Sequence, residues 1–169
     1  IHHYAMPDIP KDIEAFGDGL WLRFESDIVK IDPSSGAILA TFSAKGVDNF
    51  LINDAGLWLV NRSAGSLTRI SLEPESLRTS YEITNEPVIL LDTGDTILVV
   101  TERMISALDN DTGQLVPIAA LSGRLTEAVV DTRSRMVWIG SVGGTRLVQG
   151  ISLDRGEVVI EVPLSHTPS

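Results

Sequence analysis

This chain of 169 residues contains no cysteine, few aromatic residues and only three histidines. The absence of cysteine excludes disulfide bonds, thiolate metal sites and a cysteine nucleophile, and it leaves the redox compartment open. The histidines are His2, His3 and His166, which lie near the two ends of the sequence. Catalytic and metal-binding histidines need a rigid element to hold their geometry, so we expect no histidine-based active site in the body of the chain.

Long apolar runs and positive charge are also scarce. No stretch approaches the roughly 18 apolar residues of a membrane-spanning helix, and the first residues lack the basic and apolar regions of a signal peptide. Acidic residues outnumber basic ones by 23 to 13, which gives a formal net charge of −10. Such a charge repels phosphate backbones. We therefore expect neither membrane insertion nor a nucleic-acid partner.

Apolar residues make up 43% of the chain, and they recur with a period of about forty residues. The phrase GLWL at residues 19–22 returns at residues 56–59, and TILV at 96–99 and MVWI at 136–139 follow. The equivalent positions Trp21, Trp58, Leu98 and Trp138 are separated by 37, 40 and 40 residues. A fixed period of this length is typical of a repeat protein, here a single domain of four units at residues 9–44, 45–83, 84–121 and 122–164.

Each unit contains the pattern of four short strands, with the repeated phrase in the second. The first strands are predicted at residues 13–16, 50–52, 88–91 and 128–130, the third at 28–31, 67–72, 104–108 and 147–153, and the fourth at 37–42, 77–83, 114–119 and 157–162. Turn sequences such as GDG at 17–19 and DPSSG at 32–36 separate them. The sequence therefore predicts an all-β protein.

The phrase G-L-W, followed by I-D-P-x-x-G and an apolar strand, resembles the blades of the YVTN, NHL, PQQ-like and streptogramin-lyase-like propeller group. The resemblance covers nearly the whole chain and implies a β-propeller with four blades of four antiparallel strands. It also implies that Trp21, Trp58 and Trp138 pack between neighbouring blades. Streptogramin lyases carry His and Glu side chains over the propeller axis, so the lack of an internal histidine makes this activity doubtful here.

Residues 1–8 resemble the end of a fourth strand that has no blade ahead of it. This gives five outer strands for four inner ones, and two interpretations stay open. The chain is part of a larger ring of six to eight blades, completed by further sequence or by a second chain. Alternatively, it is a complete four-bladed ring with an N-terminal arm.

An acidic residue precedes the predicted first strand of every unit, at Asp12, Asp48, Glu86 and Glu127. The first strand is innermost in a propeller, so the four carboxylates would surround one mouth of the channel. They could hold calcium or attract a basic ligand, although solvated loop acids are ordinary in an acidic protein. No other cofactor is predicted.

A second polar set follows the tryptophan-bearing strands, in loops expected on the same face as the acids. Its members are Arg23 and Glu25, Asn61 and Arg62, Glu102 and Arg103, and Ser141 and Arg146. Loops on a rigid scaffold are where binding usually resides, so we expect ligand contacts from Arg23, Asn61, Arg62 and Arg103. The alternative is ion pairing within a blade, for example between Arg23 and Glu25 or between Arg103 and Glu102.

The sequence DNDTG at residues 109–113 resembles the opening of a calcium loop. An EF-hand loop would place glutamate at its twelfth position, which is Ala120 here, so a plain β-turn is favoured.

No phosphate-binding loop, nucleophile elbow or histidine pair at metal-ligand spacing is present in the sequence. The first hypothesis is therefore a non-enzymatic propeller module, periplasmic or extracellular, that binds a protein or a small-molecule ligand. The second is part of a propeller enzyme of the lyase, lactonase or quinoprotein type, with its catalytic residues in blades outside this chain.

Overall fold

The computed structural model describes residues 8–72, 77–83, 87–110, 112–143 and 145–164. The described residues form β-strands and turns, without an α-helix among them. Sheet 1 contains β1 (Asp12–Phe16), β2 (Gly19–Arg23), β3 (Asp27–Ile31) and β4 (Ile38–Ser43), and sheet 2 contains β5 (Asn49–Asn53), β6 (Gly56–Asn61), β7 (Ser66–Ile70) and β8 (Arg78–Glu82). Sheet 3 contains β9 (Pro87–Asp92), β10 (Ile97–Thr101), β11 (Met104–Leu108) and β12 (Leu115–Ala120), and sheet 4 contains β13 (Arg124–Asp131), β14 (Met136–Gly143), β15 (Thr145–Ser152) and β16 (Glu157–Leu164).

Strand order within each sheet follows the sequence, and the paired strands are antiparallel. The prediction of four repeated units, each with four antiparallel strands, is therefore confirmed. The main difference lies in sheet 4, whose strands are eight residues long. Its first strand begins at Arg124 rather than Ala128, because a register shift between Leu125 and Glu127 lets pairing with β14 continue to Val142. The orphan strand predicted at residues 1–8 lies outside the described residues, except for Asp8.

The chain divides into two units, Ile1–Ser80 and Tyr81–Ser169. In the first unit a buried cluster joins sheet 1 to sheet 2, with Trp21 and Ile28 from one and Phe50, Leu57 and Ile70 from the other. In the second unit a buried cluster joins sheet 3 to sheet 4, through Leu91, Leu98, Val100, Ile105 and Ala119 on one side and Leu125, Ala128, Val137, Ile139 and Ile151 on the other. Each unit thus has its own apolar core between two sheets.

The same turn connects the third and fourth strands of sheets 1, 3 and 4. In each, a glycine N–H donates to the carbonyl four residues earlier: Gly36 to Asp32 at 2.8 Å, Gly113 to Asp109 at 2.8 Å and Gly156 to Ser152 at 2.9 Å. These glycines have φ of +74°, +72° and +65°, a region that favours glycine. Asp109 also accepts a hydrogen bond from the Thr112 N–H at 2.9 Å, which caps the turn with a side-chain oxygen. The turn predicted at residues 109–113 is present, although Asp111 lies outside the described residues.

The repeated tryptophans occupy equivalent register positions but differ in burial. Trp21 lies opposite Glu14 and Lys30, Trp58 opposite Leu51 and Arg69, and Trp138 opposite Val129 and Gly150. Trp21 and Trp58 are 2% and 0% exposed. Trp138 is partly exposed, which differs from the expectation that all three are packed between blades.

Candidate functional site

The predicted acidic and Arg/Asn positions share one end of each sheet in the first unit. Asp12, the first residue of β1, lies opposite Arg23, the last residue of β2. In sheet 2 the Asp48 N–H donates to the Val60 carbonyl at 2.8 Å, so Asp48 adjoins the end of β6. Antiparallel pairing places the start of a first strand beside the end of a second strand. We call this end of each sheet the rim.

Asp48, Asn61 and Arg62 build the rim of sheet 2 through backbone contacts. The Arg62 N–H donates to Asp48 Oδ2 at 2.8 Å, and Asn61 Oδ1 accepts from the Ala64 N–H and the Ser63 hydroxyl, both at 2.9 Å. Polar side chains that bond to nearby backbone groups in this way stabilise turns. Asp48 and Asn61 therefore have structural contacts in addition to any role in binding.

Arg23 also contacts the backbone, since its Nη1 donates to the Val47 carbonyl at 3.2 Å. The alternative that Arg23 pairs with Glu25 is wrong, because Glu25 forms its ion pair with Lys11. Lys11 lies just before β1, and its own N–H donates to the Arg23 carbonyl at 2.7 Å. The rim of sheet 1 is thus held by contacts between the segment just before β1 and the residues at the end of β2.

The four acids do not all precede a first strand. Glu127 lies inside β13, and it is the fourth residue of that strand. In each sheet, one residue of the first strand pairs with the repeated Trp of the second. Asp12 and Glu127 lie two positions before that residue, and Asp48 lies three positions before it. Asp48 lies before β5, so the three described acids do not occupy equivalent positions. Glu86 lies outside the described residues.

Among the residues that the structure describes, no group of three His, Cys, Asp or Glu side chains could hold a metal ion. The carboxylates of Asp12 and Glu127 instead accept hydrogen bonds from the next residue's N–H, at 2.9 Å and 3.3 Å. Calcium at these acids therefore stays a prediction from the sequence.

The second unit has a cleft at its rim, with a volume of about 440 Å³. Its lining comes from the turn between β10 and β11 and from the connection between β12 and β13, and consists of Glu102, Arg103, Leu121, Gly123, Arg124 and Val142. The Leu121 N–H donates to the Arg103 carbonyl at 2.8 Å, which joins the two segments. Of the predicted binding residues, Arg103 lies in this cleft.

Side chains of sheet 4 hold Ser122, which lies in the connection that forms one wall of the cleft. The Ser141 hydroxyl donates to the Ser122 carbonyl at 2.9 Å, and the Ser122 N–H donates to Gln149 Oε1 at 3.2 Å. Gln149 is fully buried and donates in turn to Glu161 Oε1 at 2.7 Å. A wall held by hydrogen bonds to the buried side chains of Ser141 and Gln149 is preorganised for binding.

Arginine dominates the charge of this cleft. Arg103 and Arg124 are both exposed, and Arg124 approaches Glu102 with 3.9 Å between Nε and Oε1. That separation is longer than a hydrogen bond, and an exposed ion pair of this kind contributes little. Two guanidinium groups and one carboxylate give the cleft a positive formal charge within a chain of net charge −10.

Four members of the second polar set lie in strands rather than in a loop, and two of them, Arg23 and Asn61, are the last residues of β2 and β6. Ser141 is in β14 and Arg146 is in β15, because the hairpin of sheet 4 extends to the pairing of Gly143 with Thr145. Arg124, Val142, Arg146 and Leu164 form one cross-strand row at the rim of sheet 4. Arg124 and Gln149 were missed by the sequence analysis, because no repeat position marks either of them. The SGR sequence at residues 122–124 was the one local signal.

The class of protein that this fold defines is the β-propeller repeat protein. No protein-family model and no curated protein sequence matches the chain. Among solved structures, the chain is similar to the hydrazine synthase of Kuenenia stuttgartiensis, with a TM-score of 0.73 and 14% identity over 88% of this chain and 46% of that chain. It is also similar to BamB from Moraxella catarrhalis, with a TM-score of 0.63 and 17% identity over 89% of this chain and 47% of that chain.

Both neighbours are β-propeller proteins, which confirms the predicted fold class and the resemblance to propeller blades. At these identities the likeness shows the fold alone. The chain spans a little under half the length of these neighbours. Within its described part, no helix has the length and apolar content needed to cross a bilayer.

Proposed function

We propose that this chain is a non-enzymatic β-propeller module that binds an acidic group of a protein or small-molecule ligand in the cleft of its second unit. The observation that carries the proposal is the pair Arg103 and Arg124 in a preorganised concave site. The guanidinium group has several N–H donors in a fixed fork that matches a carboxylate. A periplasmic or extracellular location is part of this proposal.

Electrostatics supports selectivity for an acidic group at this place. The chain as a whole repels anions, so an anion is attracted only where positive charge is concentrated. Arg146 lies in the same cross-strand row as Arg124 and adds a third cation to that rim. The apolar Leu121 and Val142 in the lining reduce the exposure of a bound group to water, which strengthens charge-assisted hydrogen bonds.

A titration with a hexaglutamate peptide tests this function, with hexalysine as the matched peptide of opposite charge. We expect hexaglutamate to bind at low ionic strength and to weaken as salt is added. The double variant Arg103→Ala with Arg124→Ala should lose at least tenfold in affinity. Arg155→Ala, which removes an exposed arginine outside the cleft, is the control. Equal affinity of the double variant and the control would reject the site.

The second candidate is part of a propeller enzyme whose catalytic residues lie outside this chain. The observation in its favour is that the neighbours are about twice as long, and one of them is named a hydrazine synthase. Sequencing the complete reading frame around residues 1 and 169 tests it. Further propeller repeats with inward-directed His or Glu residues would support the enzyme, and a frame limited to these four repeats would exclude it.

A further inference from the structure

Sheet 4 carries an apolar face on the side opposite the core of the second unit. Val137, Ile139 and Ile151 belong to that core and are fully buried. Their neighbours along the strands point the other way, because side chains alternate between faces. That other face carries Val129, Met136, Trp138, Val148, Ile160 and Val162, and we call it the Trp138 face.

The Trp138 face is continuous and substantially open. Val129, Ile160 and Val162 are 58%, 40% and 45% exposed. Gly150 lies at its centre, where an added Cβ would be 3.0 Å from both Trp138 and Met136 and 3.2 Å from Ile160. These three side chains therefore meet over the glycine. An open apolar surface of this kind is typical of an interaction site.

The same register position covers a neighbouring sheet in both units. Trp21 in sheet 1 belongs to the buried cluster that includes Phe50, Leu57 and Leu59 of sheet 2. Leu98 in sheet 3 belongs to the buried cluster that includes Val137 and Ile139 of sheet 4. In sheet 4 the equivalent residue is Trp138. The Trp138 face thus has the register and the composition of a face that packs against another four-stranded sheet.

Sheet 1 has the complementary surface. Residues of sheets 1 and 2 can be matched by their position relative to the repeated tryptophan. The residues of sheet 2 that pack against Trp21 then correspond in sheet 1 to Ile13, Leu20, Leu22 and Ile31. We call this the Ile13 face. Phe50 is 1% exposed, whereas its counterpart Ile13 is 58% exposed, and Ile38 opposite Ile31 is 63% exposed. The receiving surface of sheet 1 is therefore open where that of sheet 2 is covered.

Charge at the Ile13 face also suits the Trp138 face. A groove of about 210 Å³ lies beside it, lined by Phe24, Val29, Ile38 and Thr41 and by the acidic residues Asp8, Asp27 and Glu25, of which Glu25 is already paired with Lys11. Arg146 is exposed at the rim of sheet 4, in the row adjoining Val142 and Leu164. A cation at one rim and carboxylates at the other favour this pairing over two like faces.

We propose that the Trp138 face of one copy of this chain docks on the Ile13 face of a second copy. Such a contact is heterologous, because it joins two different surfaces, and it gives a closed dimer when each copy's Trp138 face meets the other copy's Ile13 face. The solved neighbours are about twice as long as this chain, so two copies supply about as much propeller sequence as one neighbour. The proposal shares Val142 and Arg146 with the rim that carries the acidic-ligand site but rests on different observations, and it predicts a dimer of twice 18.3 kDa.

Size exclusion followed by light scattering measures the mass of the full chain in solution. Protein concentrations of about 1 to 100 μM cover the range of typical affinities. We expect a concentration-dependent dimer. Ile160→Asp on one face and Ile13→Asp on the other should each give monomers. Val116→Asp, at an exposed position of β12 outside both faces, is the control and should leave the dimer intact. Circular dichroism confirms that each variant is folded.

Mixing the two monomeric variants distinguishes the heterologous contact from other dimers. Ile13→Asp retains an intact Trp138 face, and Ile160→Asp retains an intact Ile13 face, so their mixture should recover dimers. Recovery supports the proposal. A monomeric wild-type chain at 100 μM, a dimer that survives Ile13→Asp, or a mixture that stays monomeric would each overturn it. Affinity for hexaglutamate is a separate measurement, because Ile13→Asp and Ile160→Asp leave Arg103 and Arg124 in place.

Discussion

At the residue scale, turn acids are held by hydrogen bonds that change their pKa. Asp32 accepts from the Ser34 N–H and hydroxyl at 2.7 Å and from the Ser35 hydroxyl at 2.8 Å. These bonds favour the ionised carboxylate and lower the pKa of Asp32 from 3.8 to about 2. The pKa of Asp131 is lowered in the same way, mainly by the Ser134 hydroxyl. The aspartates of these turns thus stay ionised under mildly acidic conditions.

We predict that a carbon-detected NMR titration finds Asp32 ionising near pH 2 in the folded protein. A lowered folded-state pKa stabilises the fold above the unfolded value of about 3.8, and this stabilisation is lost as pH falls through about 2. Ser34→Ala should raise the pKa of Asp32 toward 3.8. Ser43→Ala, which is on β4 and away from the turn, is the control. Titration of wild-type Asp32 near 3.8 would contradict the turn geometry.

A second residue-scale prediction concerns two glycines of hairpin turns. Gly56 has φ of +137°, and an added Cβ would lie 2.5 Å from the Ile70 carbonyl oxygen. Gly17 has φ of +62° with no atom within 4 Å of an added Cβ. Gly17→Ala should cost about 1 kcal/mol from the backbone conformation alone. Gly56→Ala should cost more than about 2 kcal/mol, because a backbone carbonyl must also move.

Urea unfolding, followed by circular dichroism, measures the loss in free energy of unfolding for both variants. The comparison is informative because both glycines lie in the first unit and in equivalent turns. Similar losses for the two variants would show that Gly56 is not crowded by β7.

At the element scale, the second strands of sheets 1 and 2 were the easiest to place. The GLWL phrase carries an apolar face and begins at a turn glycine, so β2 and β6 fall where the repeat predicts them. The start of β13 was misplaced because its pairing extends beyond the repeat pattern by means of a register shift. Such a shift depends on the neighbouring strand, and neither residue type nor period encodes it locally.

The inter-sheet role of Trp21 gives a prediction at this scale. Trp21 is 2% exposed and stacks on Phe42 with ring centroids 5.7 Å apart. Trp21→Ala should destabilise the protein by about 3–5 kcal/mol, because it empties the packing between sheets 1 and 2. Leu39→Ala, at a residue 51% exposed on β4, should cost less than about 1 kcal/mol.

Trp21→Phe separates packing from polarity in the same experiment. Trp21 Nε1 is buried and has no hydrogen-bond partner within the described residues. Phenylalanine keeps much of the ring and removes this unpaired donor, so the free energy of unfolding should fall less than in Trp21→Ala. Equal chemical-denaturation midpoints for Trp21→Ala and Leu39→Ala would contradict the role of Trp21 in the core.

At the scale of the whole molecule, the charge balance predicts solubility behaviour. The formal net charge is −10 at pH 7 and the sequence pI is about 4.6. Mutual repulsion keeps molecules apart at neutral pH and disappears near the pI. We expect minimum solubility close to pH 4.6, measured by light scattering across pH 3 to 8 at about 0.1 M salt. A minimum above pH 6 would contradict this balance.

The candidate site shows the limit of prediction at this scale. The sequence predicts only that the acids and the Arg/Asn set share one face, and register places Asp12 opposite Arg23, because antiparallel hairpins fix which residues meet. Arg103 was predicted as a binding residue, but its neighbour Arg124 was not, because the two come from different sheets. Their meeting in one cleft depends on how β12 leads into β13 and on the buried hydrogen bonds of Gln149.

The sequence by itself determined the all-β class, the four repeats and the order of strands, because these follow from local patterns of apolar residues and turn residues. Only the tertiary structure decided which of the equivalent positions are buried and which are exposed. Trp21 is buried and Trp138 is partly exposed, although both stand in the same phrase of the repeat. The physical reason is that burial depends on the surface that another sheet covers, and a repeated local sequence carries no information about it.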